Sequence, residues 1–357
     1  MTHRNILVTG GAGFIGSNVA VALKAKRPNA RVTALDSLRR RGSELNLPRL
    51  RDAGVEFHHG DIRNPEDLSP PNEPYDLIVE CSAEPSVLAG YDGNPRFVIN
   101  TNLAGTVNCL ELARVCRADF LFLSTSRVYP MARLNALDYR ETETRFELSG
   151  LDGIPGAGPD GIAEDFPLHG ARTLYGATKL ASELLVEEYR EMFGLRTVIT
   201  RFGVVAGPWQ MGKVDQGVFT LWVLAHHFGR PLKYIGYGGK GKQVRDLLHV
   251  ADACDLLEAQ LSQLDVLNGR VFNAGGGLGC SLSLFETTTL CQQIIGRKLP
   301  IDSIAETREG DIRVYVTDNQ AVTTATGWTP KRTATEILAD THAWIASNET
   351  ALRAVVG

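Results

Sequence analysis

The sequence predicts an α/β protein: a doubly wound parallel sheet followed by a smaller C-terminal α/β lobe. Three observations lead there. Up to Arg201, short apolar runs alternate with amphipathic stretches, the pattern of strands joined by crossover helices. Those runs are apolar without alternation, as strands covered on both faces are. After Arg201 the rhythm changes to isolated helical patterns and short strands. At 357 residues the chain has room for about two domains. The expected division is 1–203 with about 246–274 in a first, doubly wound domain, and 204–245 with 275–357 in the second lobe.

Taken in order, the strands are expected at Asn5–Thr9, 31–35, 55–58, 76–79, 119–124 and 196–200. Helical patterns fill Phe14–Lys26, 96–117 and 173–193 between them. The stretch 131–172 has a Gly/Pro-rich centre, GLDGIPGAGPDG, and no apolar periodicity. It reads as a long functional loop. In the second lobe, helices are expected at 217–228, 283–295 and 333–346.

Composition narrows the function classes. Lys+Arg is 37 against 41 Asp+Glu, a net charge of −4, which gives no electrostatic footprint for nucleic acid or anionic lipid. A chain 43% hydrophobic and 22% charged is not disordered. Cys81, Cys109, Cys116, Cys254, Cys280 and Cys291 form no CxxC pair, so they read as thiols of a reducing compartment. The opening MTHRNILVTGG lacks a secretory leader, and no apolar run nears the roughly 18 residues of a membrane span. A cytoplasmic protein with no nucleic-acid or membrane partner is expected. His169, His226, His227 and His249 have no metal-site spacing, so no metal is expected.

The first strand runs straight into Gly10-Gly11-Ala12-Gly13-Phe14-Ile15-Gly16. Glycines at 10, 13 and 16 suit a tight turn, a close pyrophosphate and helix–strand packing, with a helix N-terminus facing the phosphates. Asp36 ends the second strand twenty residues past Gly16. A carboxylate there accepts both ribose hydroxyls of NAD and repels the 2′-phosphate of NADP. Arg39, Arg40 and Arg41 follow it and leave some tolerance for a phosphate. Asp61, in HGDIRN, either touches the adenine or caps a helix at 64–68.

Tyr175 and Lys179 form YGATK, a pair one turn apart on one helix face. They follow a strand that ends Leu123-Ser124-Thr125-Ser126-Arg127-Val128-Tyr129, at the sheet edge where ligands collect. Tyrosine titrates near about 10. Lys179 and a nicotinamide cation would each favour the phenolate, letting Tyr175 take a proton from a substrate hydroxyl. Thr125 either holds that hydroxyl in line or satisfies backbone at the strand end.

TGGAGFIG, Asp36, STSRVY and YGATK together resemble the extended short-chain dehydrogenase/reductase family, whose members modify nucleotide sugars on a Rossmann-type domain. The likeness covers nearly the whole chain and continues in GKGKQVRDLLHVAD and REGDIRVYVTD. It implies NAD contacts at Gly10, Gly13, Phe14, Ile15, Gly16, Asp36, Ser37, Arg40, Asp61, Ile62, Ser82, Ala83, Asn102, Tyr175 and Lys179. It also implies substrate contacts at Glu84, Ser126, Arg127, Gln216, Arg245 and Arg308, the two arginines Arg245 and Arg308 gripping a pyrophosphate. Read without the resemblance, Arg245 would pair with Asp246 and Arg308 with Glu309.

Three segments, SLRRRGSELN, ETETRF and DQGVF, resemble the branch that inverts carbon 2 of a CDP-linked dideoxyhexose. Ser126-Arg127 stands where sugar 4,6-dehydratases carry an Asp-Glu pair and nucleotide-glucuronate decarboxylases a glutamate, so elimination and decarboxylation are not expected. Val204, Glu84 and Pro130 depart from the family's usual asparagine, glutamine and glycine on the substrate side. The expected function is NAD-dependent epimerisation of a nucleotide-activated hexose through a transient 2-keto sugar, with NAD tightly bound and regenerated each cycle. The alternatives are a UDP- or dTDP-hexose 4-epimerase and a non-catalytic NAD-binding sensor. The resemblance further implies a homodimer or dimer of dimers, pairing helices 96–117 and 173–193 through Val107, Leu110, Val115, Leu184, Leu185 and Tyr189.

Overall fold

The computed structural model describes residues 3–91, 94–212 and 216–356. They group into two compact units. The first runs to Thr125 and takes in Leu174–Arg201 and Cys254–Phe272; the second holds Ser126–Thr173, Phe202–Ala253 and the chain from Asn273. The segment Ser126–Thr173 was expected with the first domain and belongs instead to the second unit. Its backbone explains why: Phe146 N–H donates to the Lys242 carbonyl (2.9 Å) and Ile162 N–H to that of Val316 (2.8 Å).

The first unit is built on a seven-stranded sheet ordered Arg270–Ala274, Thr197–Phe202, Asp119–Thr125, Leu77–Glu80, Asn5–Thr9, Arg31–Asp36, Glu56–His59. From Asp119–Thr125 to Glu56–His59 every pairing is parallel. Asn5–Thr9, Leu77–Glu80, Asp119–Thr125 and Thr197–Phe202 are buried at every residue, which is why they read as unbroken apolar runs. Chain order reverses at Asn5–Thr9, flanked by Arg31–Asp36 on one side and Leu77–Glu80 on the other. Open α/β sheets bind ligands at the strand C-termini beside such a reversal.

Helix Phe14–Lys26 has the expected bounds, and Leu174–Phe193 begins one residue later than the pattern suggested. The pattern at 96–117 is two helices, Pro95–Ile99 and Gly105–Cys116, joined by a π-helical turn at Asn100–Ala104. Of the six residues expected to face a partner copy, Leu110 lies wholly inside the core, and Leu185 and Tyr189 pack against that core. Leu110 shares its helix face with Cys109 and Ala113, the face turned to the sheet. Val115 and Leu184 are each 57% exposed, joined by Met192 at 68%.

The second unit carries a sheet of Val204–Ala206, Val244–His249 and Ser281–Ser283, with Val314–Tyr315 pairing to Val244–His249. Helices Val218–Phe228, Leu284–Ile295 and Ala334–Ser347 pack together there. Ser283 and Thr333, expected as first helical residues, are N-caps in capping boxes with Glu286 and Glu336. The 131–172 stretch is not structureless. It holds helix Met131–Asn135 and the pairs Tyr139–Glu141 with Phe146–Leu148 and Ala157–Gly158 with Gly161–Ile162. Elements of two to five residues are too short to print a period on the sequence. Among the described residues no helix is long and apolar enough to cross a membrane.

Candidate active site

The glycine turn opens helix Phe14–Lys26 at the end of strand Asn5–Thr9. Gly10 has φ +62°, and a Cβ on it would stand 2.9 Å from the Ser82 backbone. A Cβ on Gly16 would stand 2.1 Å from the Gly10 carbonyl oxygen. Neither position tolerates a side chain. Gly13 is the helix N-cap, with no side chain capping and no acidic residue in the first turn. The amides that begin at Phe14 and Ile15 therefore meet no competing side-chain acceptor, as an anion site requires.

Asp36 closes the next strand and binds back to the turn. Its carboxylate accepts from Ala12 N–H (3.1 Å) and Leu38 N–H (2.8 Å). Burial pushes its pKa above the usual carboxylate range, with those amides opposing. Asn46, which sequence reasoning missed, donates from Nδ2 to the Ala12 carbonyl at 2.9 Å and braces the turn. Ser37 contributes its carbonyl to His59 (3.3 Å), and Arg40 is half-buried beyond it. Asp61 caps no helix: Asn64 is the N-cap of the 3-10 turn Pro65–Leu68. Asp61 instead grips Arg63, whose hydrogen bonds hold its carboxyl below the usual range against burial. The Arg63 and Arg39 guanidiniums lie over the Phe97 ring at 5.0 and 4.1 Å. Ile62 is a core side chain, its carbonyl accepting from Asn108 at 2.8 Å.

Ser82, Ala83 and Glu84 follow strand Leu77–Glu80 and are half-buried. Asn102, wholly buried in the π-helical turn, accepts from Glu84 N–H (2.7 Å) and donates to the Glu84 carbonyl (3.1 Å) and to Thr178 Oγ1 (3.3 Å). Its amide is thus committed to holding this strand end against the helix of Tyr175. The Glu84 carboxylate accepts from Ser86 N–H at 3.2 Å.

Thr125 ends the fully buried strand Asp119–Thr125, and Tyr175 and Lys179 share helix Leu174–Phe193. Two buried acid–base pairs support them, and neither was found from the sequence. Glu183 accepts from Arg201 Nη2 (2.7 Å) and Nε (3.1 Å) and from Ser124 Oγ. Glu80 lies 3.7 Å from Lys179 Nζ, which also stands 3.8 Å from the centroid of the Phe122 ring. Lys179 is 2% exposed, and burial pushes its pKa down, with Glu80 opposing. Two signals were present: a glutamate closing the apolar run LIVE, and a second one turn after the lysine.

In the second unit, Ser126 and Arg127 form a 3-10 turn in which Arg127 Nη1 donates to the Gly310 carbonyl (3.0 Å). Arg245 does not pair with Asp246. It donates to the carbonyls of Val244 (2.7 Å) and Ile312 (2.6 Å) and pairs with Asp311 at 3.3 Å. Asp246, one residue on and hence on the opposite strand face, accepts from the amides of Gly277 and Thr317. Arg308 is half-buried and makes no ion pair with Glu309. Gln216 has a buried Oε1 without a hydrogen-bond partner among the described residues; its neighbour Asp215 in DQGVF lies outside them. His226 and His249 use Nδ1 on backbone groups of Trp222 and Ala251, His227 meets His342, and the His169 carbonyl accepts from Arg133. No group of three or more metal-binding side chains occurs among the described residues.

The turn fits a dinucleotide: two glycines whose Cβ would strike backbone, an uncapped helix start, and one carboxylate beside them. Residues 6–275 match the family model described as "NAD dependent epimerase/dehydratase family". The chain is 32% identical over 356 residues to a CDP-paratose 2-epimerase of Salmonella typhi, covering 96% of this chain and 99% of that protein. It is 27% identical to a bifunctional UDP-glucose 4-epimerase and UDP-xylose 4-epimerase of Arabidopsis thaliana, covering 97% and 96%. Among solved structures it resembles a dTDP-glucose 4,6-dehydratase double mutant of Streptomyces venezuelae with NAD bound, at TM-score 0.78 and 27% identity over 98% of this chain and 99% of that one. Strand, glycine turn, acidic strand end and the Tyr175–Lys179 helix fall within that matched span, and the chain belongs to the NAD dependent epimerase/dehydratase family.

Proposed function

We propose that the protein is an NAD-dependent epimerase of a nucleotide-activated hexose, inverting carbon 2 of a CDP-3,6-dideoxyhexose. The observation that carries the reading is Thr125 at a buried strand end in the same unit as the Tyr175–Lys179 helix, in a chain whose full length resembles a CDP-sugar 2-epimerase. Tyr175 is the general base. The Lys179 ammonium, one turn along the helix, favours the phenolate, which takes the proton of the substrate's C2 hydroxyl and later returns it. Thr125 holds that hydroxyl in line. NAD, held by the Gly10–Gly16 turn and Asp36, supplies the hydride acceptor. Arg245 and Arg308 clamp the pyrophosphate while the flat 2-keto sugar turns about its anomeric linkage and presents its other face.

The chemistry selects the carbon. A ketone at C4 acidifies the protons on C3 and C5 but leaves C2 too far away. Inverting C2 is therefore simplest by oxidising C2 itself. Substrate deuterated at C2 is expected to keep its label at C2 within the same molecule, and heavy water to add none. Solvent label at C2 would overturn hydride return in favour of deprotonation. The likeness to UDP-sugar 4-epimerases favours a second reading, oxidation at C4 by the same residues. A panel of CDP-, UDP- and dTDP-hexoses, with products resolved by NMR, decides between them: inversion at C4 alone refutes the C2 reading, and no conversion of any sugar refutes both.

A further inference from the structure

We propose that Glu80 is a positioning residue: a buried counter-charge that holds Lys179 and sets the pH at which Tyr175 ionises. The inference rests on the Tyr175–Lys179 reading above. Glu80 is the last residue of the wholly buried strand Leu77–Glu80 and is 0% exposed. By distance and angle neither of its oxygens completes a hydrogen bond among the described residues; the side chains that face them are those of Lys179 and Thr106. Its one ion pair there is with Lys179 Nζ, at 3.7 Å. A carboxylate taken from water without hydrogen bonds is strongly unfavourable unless a cation balances it. Lys179 is that cation, gripped between the Glu80 carboxylate and the Phe122 ring face, 3.8 Å from Nζ.

The other ionisable groups facing this pair do not replace Glu80. Glu183, one turn along the helix, already holds Arg201 through two guanidinium nitrogens. Cys81, next on the strand, and Cys109, on helix Gly105–Cys116, are thiols that burial pushes well up, with the Glu80 charge adding to it. Both stay neutral at working pH. Glu80 is therefore the uncommitted negative charge on Lys179. Burial also raises its own pKa, with Lys179 opposing, so the carboxylate and the ammonium sustain each other.

The consequence is read in the ionisation of Tyr175. In the proposed reaction Tyr175 and Lys179 act as a coupled pair, so a change in nearby charge moves the pair's macroscopic pKa values. A negative charge beside the pair makes each proton harder to remove. Removing that charge moves the Tyr175 midpoint: downward where Lys179 keeps its proton, and upward where Lys179 loses it, because a neutral lysine no longer favours the phenolate. Lost packing alone would lower turnover or stability without moving that midpoint.

The test is a pH titration of the protein as purified, labelled with ¹³Cζ-tyrosine, with the Tyr175 signal identified by its absence in Tyr175→Phe. In Glu80→Gln, which keeps the volume, and in Glu80→Leu, the Tyr175 midpoint is expected to move by about one pH unit. In Glu80→Asp, which keeps the charge, it is expected to stay. Should the leucine variant not fold, the glutamine and aspartate pair still decides. A midpoint common to the wild type and all folded variants overturns the proposal, as does an equal shift in Glu80→Asp. The titration needs no substrate. Absence of turnover on every sugar would sink the proposed reaction without touching this result, and an unmoved midpoint would sink the role of Glu80 while leaving the reaction intact.

Discussion

Gly16→Ala tests whether the turn before helix Phe14–Lys26 is built for a dinucleotide. The added Cβ would stand 2.1 Å from the Gly10 carbonyl oxygen and 2.7 Å from its carbon, where ordinary contact begins at 3.4 Å. The overlap exceeds an ångström, and both atoms are backbone. Gly10 has little room to retreat, because a Cβ on it would already strike Ser82 at 2.9 Å. The turn must open, and the helix start must move with it. Overpacking of this kind costs about 1–3 kcal/mol, or roughly 5- to 150-fold in an equilibrium constant. Two glycines calibrate the effect. At Gly13 the nearest atom is 3.0 Å away and the next 4.0 Å, and at Gly279 nothing lies within 4 Å. Calorimetric NAD titration of cofactor-stripped protein is expected to rank affinity as wild type and Gly279→Ala, then Gly13→Ala, then Gly16→Ala. If Gly16→Ala binds NAD within about two-fold of wild type and melts at the same temperature, the steric reasoning is wrong.

Three further outcomes are expected. Tyr175→Phe should lower kcat by roughly two to four orders of magnitude while retaining NAD, since it removes a general base and not the cofactor turn; near wild-type turnover would contradict the assignment. Burial raises the Asp119 carboxyl, but His3 (2.7 Å) and Arg196 (2.6 Å) outweigh it and hold it below its ordinary value. Its contribution to stability is therefore complete above about pH 4 and lost as pH falls through the lower folded value, and acid unfolding of Asp119→Asn should lack that component. Leu184→Glu, at a position 57% exposed on the helix of Tyr175, should turn a dimer into a monomer by light scattering at micromolar concentration, whereas a wild-type monomer would refute that assembly.

What the sequence reveals depends on how local its physics is. Asn5–Thr9 and Phe14–Lys26 have their expected bounds because an apolar run, a glycine turn and an amphipathic helix each carry their own signal. Tyr175 and Lys179 are legible for the same reason, four residues apart on one helix. The Arg245 partner is not. Sequence adjacency suggested Asp246, but neighbours on a strand point to opposite faces, and the carboxylate that meets Arg245 is Asp311, across the pairing of Val244–His249 with Val314–Tyr315. The 131–172 stretch hides its elements because they are short and gain their hydrogen bonds from distant residues such as Lys242 and Val316. Buried charge is the hardest to read. Arg201 ends a run of apolar strand residues and finds Glu183 only through the sheet's order.

The helix of Tyr175 carries two buried acid–base pairs that differ in a way suited to the proposed chemistry. Glu183 is saturated, with two Arg201 nitrogens and Ser124 Oγ on its oxygens. Such a pair resists movement, and removing one partner would leave an uncompensated charge costing about 3–5 kcal/mol. Because Ser124 precedes Thr125, Glu183 ties the strand end to the helix that presents Tyr175. Glu80 and Lys179 meet at 3.7 Å without completed hydrogen-bond geometry on either Glu80 oxygen, so their attraction acts mainly through charge. An epimerisation takes one proton from a hydroxyl and returns it, and so requires a base of steady affinity and no net supply from solvent. A rigid pair that aligns two elements, beside a looser pair that sets the ionisation of the base, meets both requirements on one helix.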